Sequence, residues 1–200
     1  MQKPNGYDEA RATGERTPIT LGGHYCIVKQ VTETVNKDNK PMIVVLFDFC
    51  TPDPQNGMFT GIFTNDDRPE KKWPFSGSKY IMVNDFIDPS KTSRQFKTFC
   101  SCIEKSNNYE ITWGGGSWGK QFVGKKIGAV YGEEENEYNG RRFMRETVKY
   151  FCKWDAVEKQ PVPAPKYLQD AAPIPARPAP VPDAEGFLNA ADALDDELPF

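Results

Sequence analysis

The stretch "RRFMRETVKYFCKW" (141–154) mixes cations and rings at a spacing that could hold a polynucleotide. In an extended strand, side chains point to opposite faces in turn. One face then carries Arg141, Phe143, Arg145, Thr147, Lys149, Phe151 and Lys153. The other carries Met144, Val148, Tyr150, Cys152 and Trp154, interrupted by Arg142 and Glu146, and reads as a core face. The first face offers positive charge for phosphates and flat rings for unstacked bases, the two needs of a bare single strand. Such a surface is indifferent to sequence, because every base has a π-face. A solvated edge strand with covered rings would show the same pattern.

Three loops repeat the mixture. "EKKW" sets Lys71 and Lys72 beside Trp73, "WGGGSWGK" flanks a glycine run with Trp113 and Trp118, and "NEYNGRR" places Tyr138 just before two arginines. The candidate set for single-stranded DNA is therefore Arg141, Arg145, Lys149, Lys71 and Lys72 for phosphates. Phe143, Phe151, Trp73, Trp118 and Tyr138 are the candidates for bases.

Signals for catalysis are sparse. The single histidine, His24, opens a predicted strand and reads as structural or exposed. Asp48, Asp53, Asp66 and Asp67 lie near one another in sequence, but nothing in their spacing fixes the converging carboxylates of a metal-dependent nuclease. Gly114–Gly116 lacks the GK[ST] of a phosphate loop. The five cysteines, Cys26, Cys50, Cys100, Cys102 and Cys152, have no metal-ligand spacing and read as buried free thiols. No cofactor or metal is expected.

The elements that must position these residues follow from periodicity. "HYCIVKQVTETV" (24–35) and "PMIVVLFDFC" (41–50) read as a hairpin across the turn "NKDNK". "MFTGIFTN" (58–65) reads as a third, shorter strand, and "YIMVNDF" (80–86) fits a strand or the approach to a helix. Phe96, Phe99, Cys100 and Ile103 fall on one helix face, with Asp88 or Ser90 as the expected N-cap. "FVGKKIGAVYGEEE" (122–135) and 141–154 make a second hairpin through Asn139-Gly140. Hairpin, strand, helix, hairpin is the element order of a mainly β, five-stranded OB barrel with its helix between strands 3 and 4. In that fold the loops 36–40 and 135–140 border the binding face.

The apolar patterns span residues 19–157, the expected folded domain, preceded by a polar, flexible segment 1–18. Residues 158–182 are a Pro-rich linker, expected to be disordered, and 183–200 an acidic tail. Residues 1–159 hold 23 basic and 21 acidic side chains, whereas 160–200 hold 2 and 7. A near-neutral body with an acidic tail suits interaction with partners. No run is long and apolar enough to span a membrane, and the first residues lack a signal core, so no membrane association and an intracellular protein are expected.

The closing "DDELPF" (Asp195, Asp196, Glu197, Leu198, Pro199, Phe200) resembles the acidic tip of bacterial single-stranded DNA-binding proteins. The body resembles a family of bacteriophage single-stranded DNA-binding proteins, on "KKW", "FKTFCSCIEKSNNYE", "FVGKKIGAVYGEEENEYNGR" and "VKYFCKWDAV". The resemblance implies an OB fold, sequence-independent binding in phage replication or recombination, and location in the bacterial host's cytoplasm. It also implies docking of the tip on replication, recombination or repair enzymes. Homo-oligomerisation is compatible with it. Two other classes fit the letters: an OB-like interaction hub with weak or no DNA binding, and a metal-dependent nuclease.

Overall fold

The computed structural model describes Lys3 and residues 17–168. Strands β1 (Gly22–Val35) and β2 (Pro41–Phe49) form the first hairpin. Its turn is built by Asn36, whose Oδ1 accepts the amides of Asp38 and Lys40 at 2.9 Å, and by Asn39 at φ 58°. Helix α1 (Met58–Thr64), strand β3 (Ser78–Met82) and helix α2 (Arg94–Asn107) follow. Strands β4 (Lys126–Tyr138) and β5 (Arg141–Cys152) close the element order as a long hairpin. Asn139 and Gly140 both take positive φ, 49° and 74°, as a type I′ turn requires.

All five strands lie in one antiparallel sheet of order β3-β2-β1-β4-β5. The mainly β class is as expected. Side chains tie β3 and the turn before it to β5: Lys79 Nζ of β3 donates to the Val148 carbonyl at 2.8 Å, and Ser76 Oγ of the turn to that of Glu146 at 3.3 Å. The main core lies on one face of the sheet, where Val28, Val45, Phe47, Phe49, Ile127 and Tyr131 meet Phe59 of α1 and Phe99 and Ile103 of α2; Val130, Cys152 and Val157 form a second, smaller cluster.

Three expectations need correction. The segment 58–64 is a helix. Its inward residues Phe59 and Phe63 sit at i and i+4, a spacing that satisfies both a strand and a helix. The buried Asp48 decides the matter: its carboxylate accepts the amides of Phe59 and Thr60 at 2.9 Å, two of the donors a helix start leaves unpaired. The third strand is therefore 78–82. Helix α2 is capped by Ser93 rather than Asp88 or Ser90; Ser93 Oγ accepts the Phe96 amide at 3.1 Å and donates to the Met82 carbonyl, pinning the helix start to β3. Strand β4 starts at Lys126, because residues Trp118–Phe122 form a 3-10 turn.

Beyond β5, a 3-10 turn (Trp154–Lys159) leads into residues 160–168, the first part of the Pro-rich segment. This stretch pairs with β4 in parallel past the end of β1. Lys166 donates its amide to Glu133 (3.0 Å), and the Lys166 carbonyl accepts from Glu135 (2.8 Å). The Leu168 amide donates to the buried Glu135 carboxylate at 3.0 Å. The segment thus covers an otherwise open strand edge. The remainder of the expected linker, the tail, and all of 1–16 except Lys3 lie outside the described residues.

Candidate nucleic-acid interface

Strand β5 does not keep one alternation along its length. Val130 pairs with Tyr150 and Tyr131 with Val148, so Lys149 is an extra residue, a β-bulge. One inserted residue exchanges the two faces. After the bulge Phe151 points into the core. It is 5% exposed, with its ring 5.6 Å from both Phe47 and Phe99. Phe151 is thus corrected from a base contact to a core ring. Before the bulge the expected face persists: Arg141 is exposed, and Phe143 and Arg145 are half-buried.

Each cation on this face has its own surroundings. The Arg145 guanidinium lies 4.1 Å over the Phe75 ring, a cation–π contact that fixes it beside β3. Lys149 Nζ is 3.1 Å from Glu134 Oε2, and Lys166 Nζ is 2.8 Å from Glu134 Oε1. Those hydrogen bonds, that from Lys166 first, hold the Glu134 carboxyl below its ordinary range. Lys79 is lowered, chiefly by burial and then by the nearby Lys149 charge. Glu134 therefore offsets part of the positive charge that Lys149 and Lys166 bring to this side of the hairpin. Arg141, at the tip, pairs across the ladder with Tyr138, which is half-buried.

The loop candidates divide. Lys71 and Lys72 are exposed, and Lys71 Nζ donates to the Thr64 carbonyl at 2.9 Å. Trp73 is half-buried; its indole N–H donates to Gly77 at 2.9 Å and its ring lies 5.6 Å from Phe63. It anchors its loop on α1, and only part of its surface faces solvent. Trp118 is corrected from a base contact to a core residue, 8% exposed, stacked on Phe96 at 5.9 Å and edge-on to Phe122 at 4.5 Å. The sequence reading missed Phe75, which organises Arg145, because nothing in "WPFSG" marks a partner 70 positions away. It also missed the tip of the β3–α2 loop, where Phe86 and Ile87 are 85% and 91% exposed and Lys40 Nζ sits 5.2 Å over the Phe86 ring.

The acidic residues do not converge. Asp48 caps α1, and Asp66 binds Arg68 through both carboxylate oxygens, which holds its pKa down at about 2. Asp53 Oδ2 meets His24 Nδ1 at 3.0 Å while His24 Nε2 meets the Thr20 carbonyl at 2.7 Å; the pair is buried and ties the chain entry to the β2–α1 loop. His24 is thus structural. Among the described residues, no three His, Cys, Asp or Glu side chains cluster as metal ligands. The cysteines are free thiols, all but Cys50 buried; burial pushes Cys100 and Cys152 up to about 12, and Cys102 up to about 11. No described helix is long and apolar enough to cross a membrane.

Among the described residues, these features define a mainly β protein with one five-stranded antiparallel sheet, whose outer hairpin balances five cations with five carboxylates but sets Arg141, Phe143 and Arg145 on one face. No protein-family model matches the chain, and no curated protein matches it.

Proposed function

We propose that this chain is a sequence-independent single-stranded DNA-binding protein of the bacteriophage type, acting in replication or recombination in the host cytoplasm. It grips and protects bare strands without catalysing a reaction. The observation that carries the reading is the outer face of the β4–β5 hairpin before the bulge. There Arg141, Phe143 and Arg145 alternate outside the core, with Lys149 beside them. The strand order β3-β2-β1-β4-β5, with α2 between β3 and β4, supports an OB barrel, and so do the Lys79 and Ser76 bonds to β5, on the side where such a barrel would close.

Arg141, Arg145 and Lys149 would neutralise phosphates, while Phe143 and Tyr138 stack bases; Lys71, Lys72 and the open part of Trp73 extend the contact. The acidic tip Asp195–Phe200 is the recruiting element for replication, recombination or repair enzymes. Its carboxylates, Leu198 and terminal ring suit an apolar pocket with a basic rim. The test is an anisotropy titration of the full chain with labelled oligo(dT) and with a duplex of equal length. Tight binding of the single strand over the duplex is expected. Failure to bind, or cleavage of the strand with magnesium, overturns the reading.

A further inference from the structure

We infer that Trp113 is a pre-set stacking platform for a nucleobase, on a surface built by α2 and the 118–122 turn rather than by the β4–β5 hairpin. The inference rests on the reading of the chain as a single-strand binder. Scattered exposed apolar side chains are ordinary. Trp113 differs in how firmly it is held. The residue is 63% exposed, yet its ring lies 5.6 Å from the Trp118 ring at 26°, and Trp118 in turn stacks on Phe96 at 5.9 Å and 25°. The two supporting rings belong to the core, so the outer one rests on a rigid base.

The backbone is clamped as well. Gln121 receives the Thr112 amide on Oε1 at 2.9 Å and donates Nε2 to the Thr112 carbonyl at 2.9 Å. The same amide group donates to the Trp118 carbonyl and accepts from the Tyr109 hydroxyl. The residue preceding Trp113 is thereby fixed at both of its backbone groups. The residues following it are glycines: Gly114 and Gly115 sit at φ +89°, a conformation L side chains rarely adopt. No atom lies within 4 Å of where a Cβ on Gly114, Gly115 or Gly116 would stand. An open cleft of about 300 Å³ lies alongside this loop, lined by Tyr109, Thr112, the glycines, Ser117, Trp118 and Gln121.

A fixed, exposed ring suits a flat ligand, and a ring already immobilised loses little freedom on binding. Cations stand near for phosphate: Lys125 Nζ is 3.8 Å over the Tyr109 ring, and Lys120 is exposed on the turn that carries Gln121. The register separates this platform from the hairpin. Gly119 is seated on β1, where an added Cβ would meet the Val31 carbonyl at 2.1 Å. The hairpin tip extends past Tyr131, the partner of Gly22 at the other end of β1. A strand that touches both surfaces runs the length of the sheet.

The test uses the full chain and labelled oligo(dT) at low salt. Trp113→Ala should weaken binding about 5- to 150-fold, the worth of one stacked base. Trp113→Phe should retain most of the affinity, and both variants should melt like the parent. Unchanged affinity in Trp113→Ala overturns the inference and leaves the proposed function standing. A parent chain that ignores oligo(dT) overturns both. Should Trp113→Ala fail to fold, photocrosslinking of the parent to a bromodeoxyuridine oligonucleotide decides the matter. An adduct on Trp113 supports the platform, and adducts confined to other residues refute it.

Discussion

Phe151→Ala separates a core ring from a surface one and so tests the bulge at Lys149. Read as an unbroken strand, β5 puts Phe151 on the same face as Phe143, and its loss would cost affinity but little stability. With the bulge, Phe151 is 5% exposed and packs edge-on to Phe47 and at a tilt to Phe99. Truncating a buried Phe costs roughly 3–5 kcal/mol, the transfer energy of the ring plus the cavity left behind. The site is near the end of an outer strand and can partly collapse, so the lower end, about 3 kcal/mol, is expected. For a body of this size that is a fall in Tm of roughly 6–12 °C, at about 2–4 °C per kcal/mol. Guanidinium unfolding followed by tryptophan emission measures it. Phe143→Ala is the control: half-buried and outside the core, it should change stability by less than about 1 kcal/mol and weaken oligo(dT) binding instead. The opposite pattern, with Phe151→Ala stable but defective in binding, refutes the bulge reasoning.

Acid should unfold the protein through its tied carboxylates. Burial pushes the Asp53 carboxyl up, but the His24 hydrogen bond and the Gln55 and Tyr25 amides outweigh it and leave the group below its ordinary range; Asp66 is held at about 2. Folded values below unfolded ones mean stability that is present above about pH 4 and lost as the pH falls toward about 2. A Tm that rises between pH 5 and pH 3 contradicts this. Gly119→Ala places a methyl 2.1 Å from the Val31 carbonyl and should cost on the order of 1–3 kcal/mol by thermal denaturation; a neutral effect means the 118–122 turn is not seated on β1. Ending the chain at residue 157 removes the Lys166 bonds and opens the β4 edge, so light scattering should show self-association that a chain ended at 168 lacks. Equal behaviour of the two would mean that the strap does not guard the edge.

The readable parts of the fold were those with long, uniform periodicity. The first hairpin, helix α2 and the Asn139-Gly140 turn follow from local pattern and turn chemistry alone. The segment 58–64 was ambiguous, since Phe59 and Phe63 suit both periods and the deciding partner, Asp48, lies ten residues upstream on β2. Lys149 carries no mark of a bulge in its own sequence; its position is set by pairing with β4, and with it the fate of Phe151. Trp113 and Trp118 look alike as letters flanking a glycine run, yet one is a platform and the other its buried support, a difference made by the seating of Trp118 between Phe96 and Phe122. Lys166 reads as part of a Pro-rich linker, and only the open edge of β4 beyond Gly22 gives it a partner.

The central claim is that cations and rings on the outer hairpin hold bare polynucleotide. The salt dependence of oligo(dT) affinity measures it most directly. Log affinity should fall linearly with log salt for the parent, and Arg141→Gln should flatten that slope by about 0.7, one phosphate contact on a single strand. Affinity that ignores salt, or a slope unmoved by the loss of Arg141, contradicts the claim.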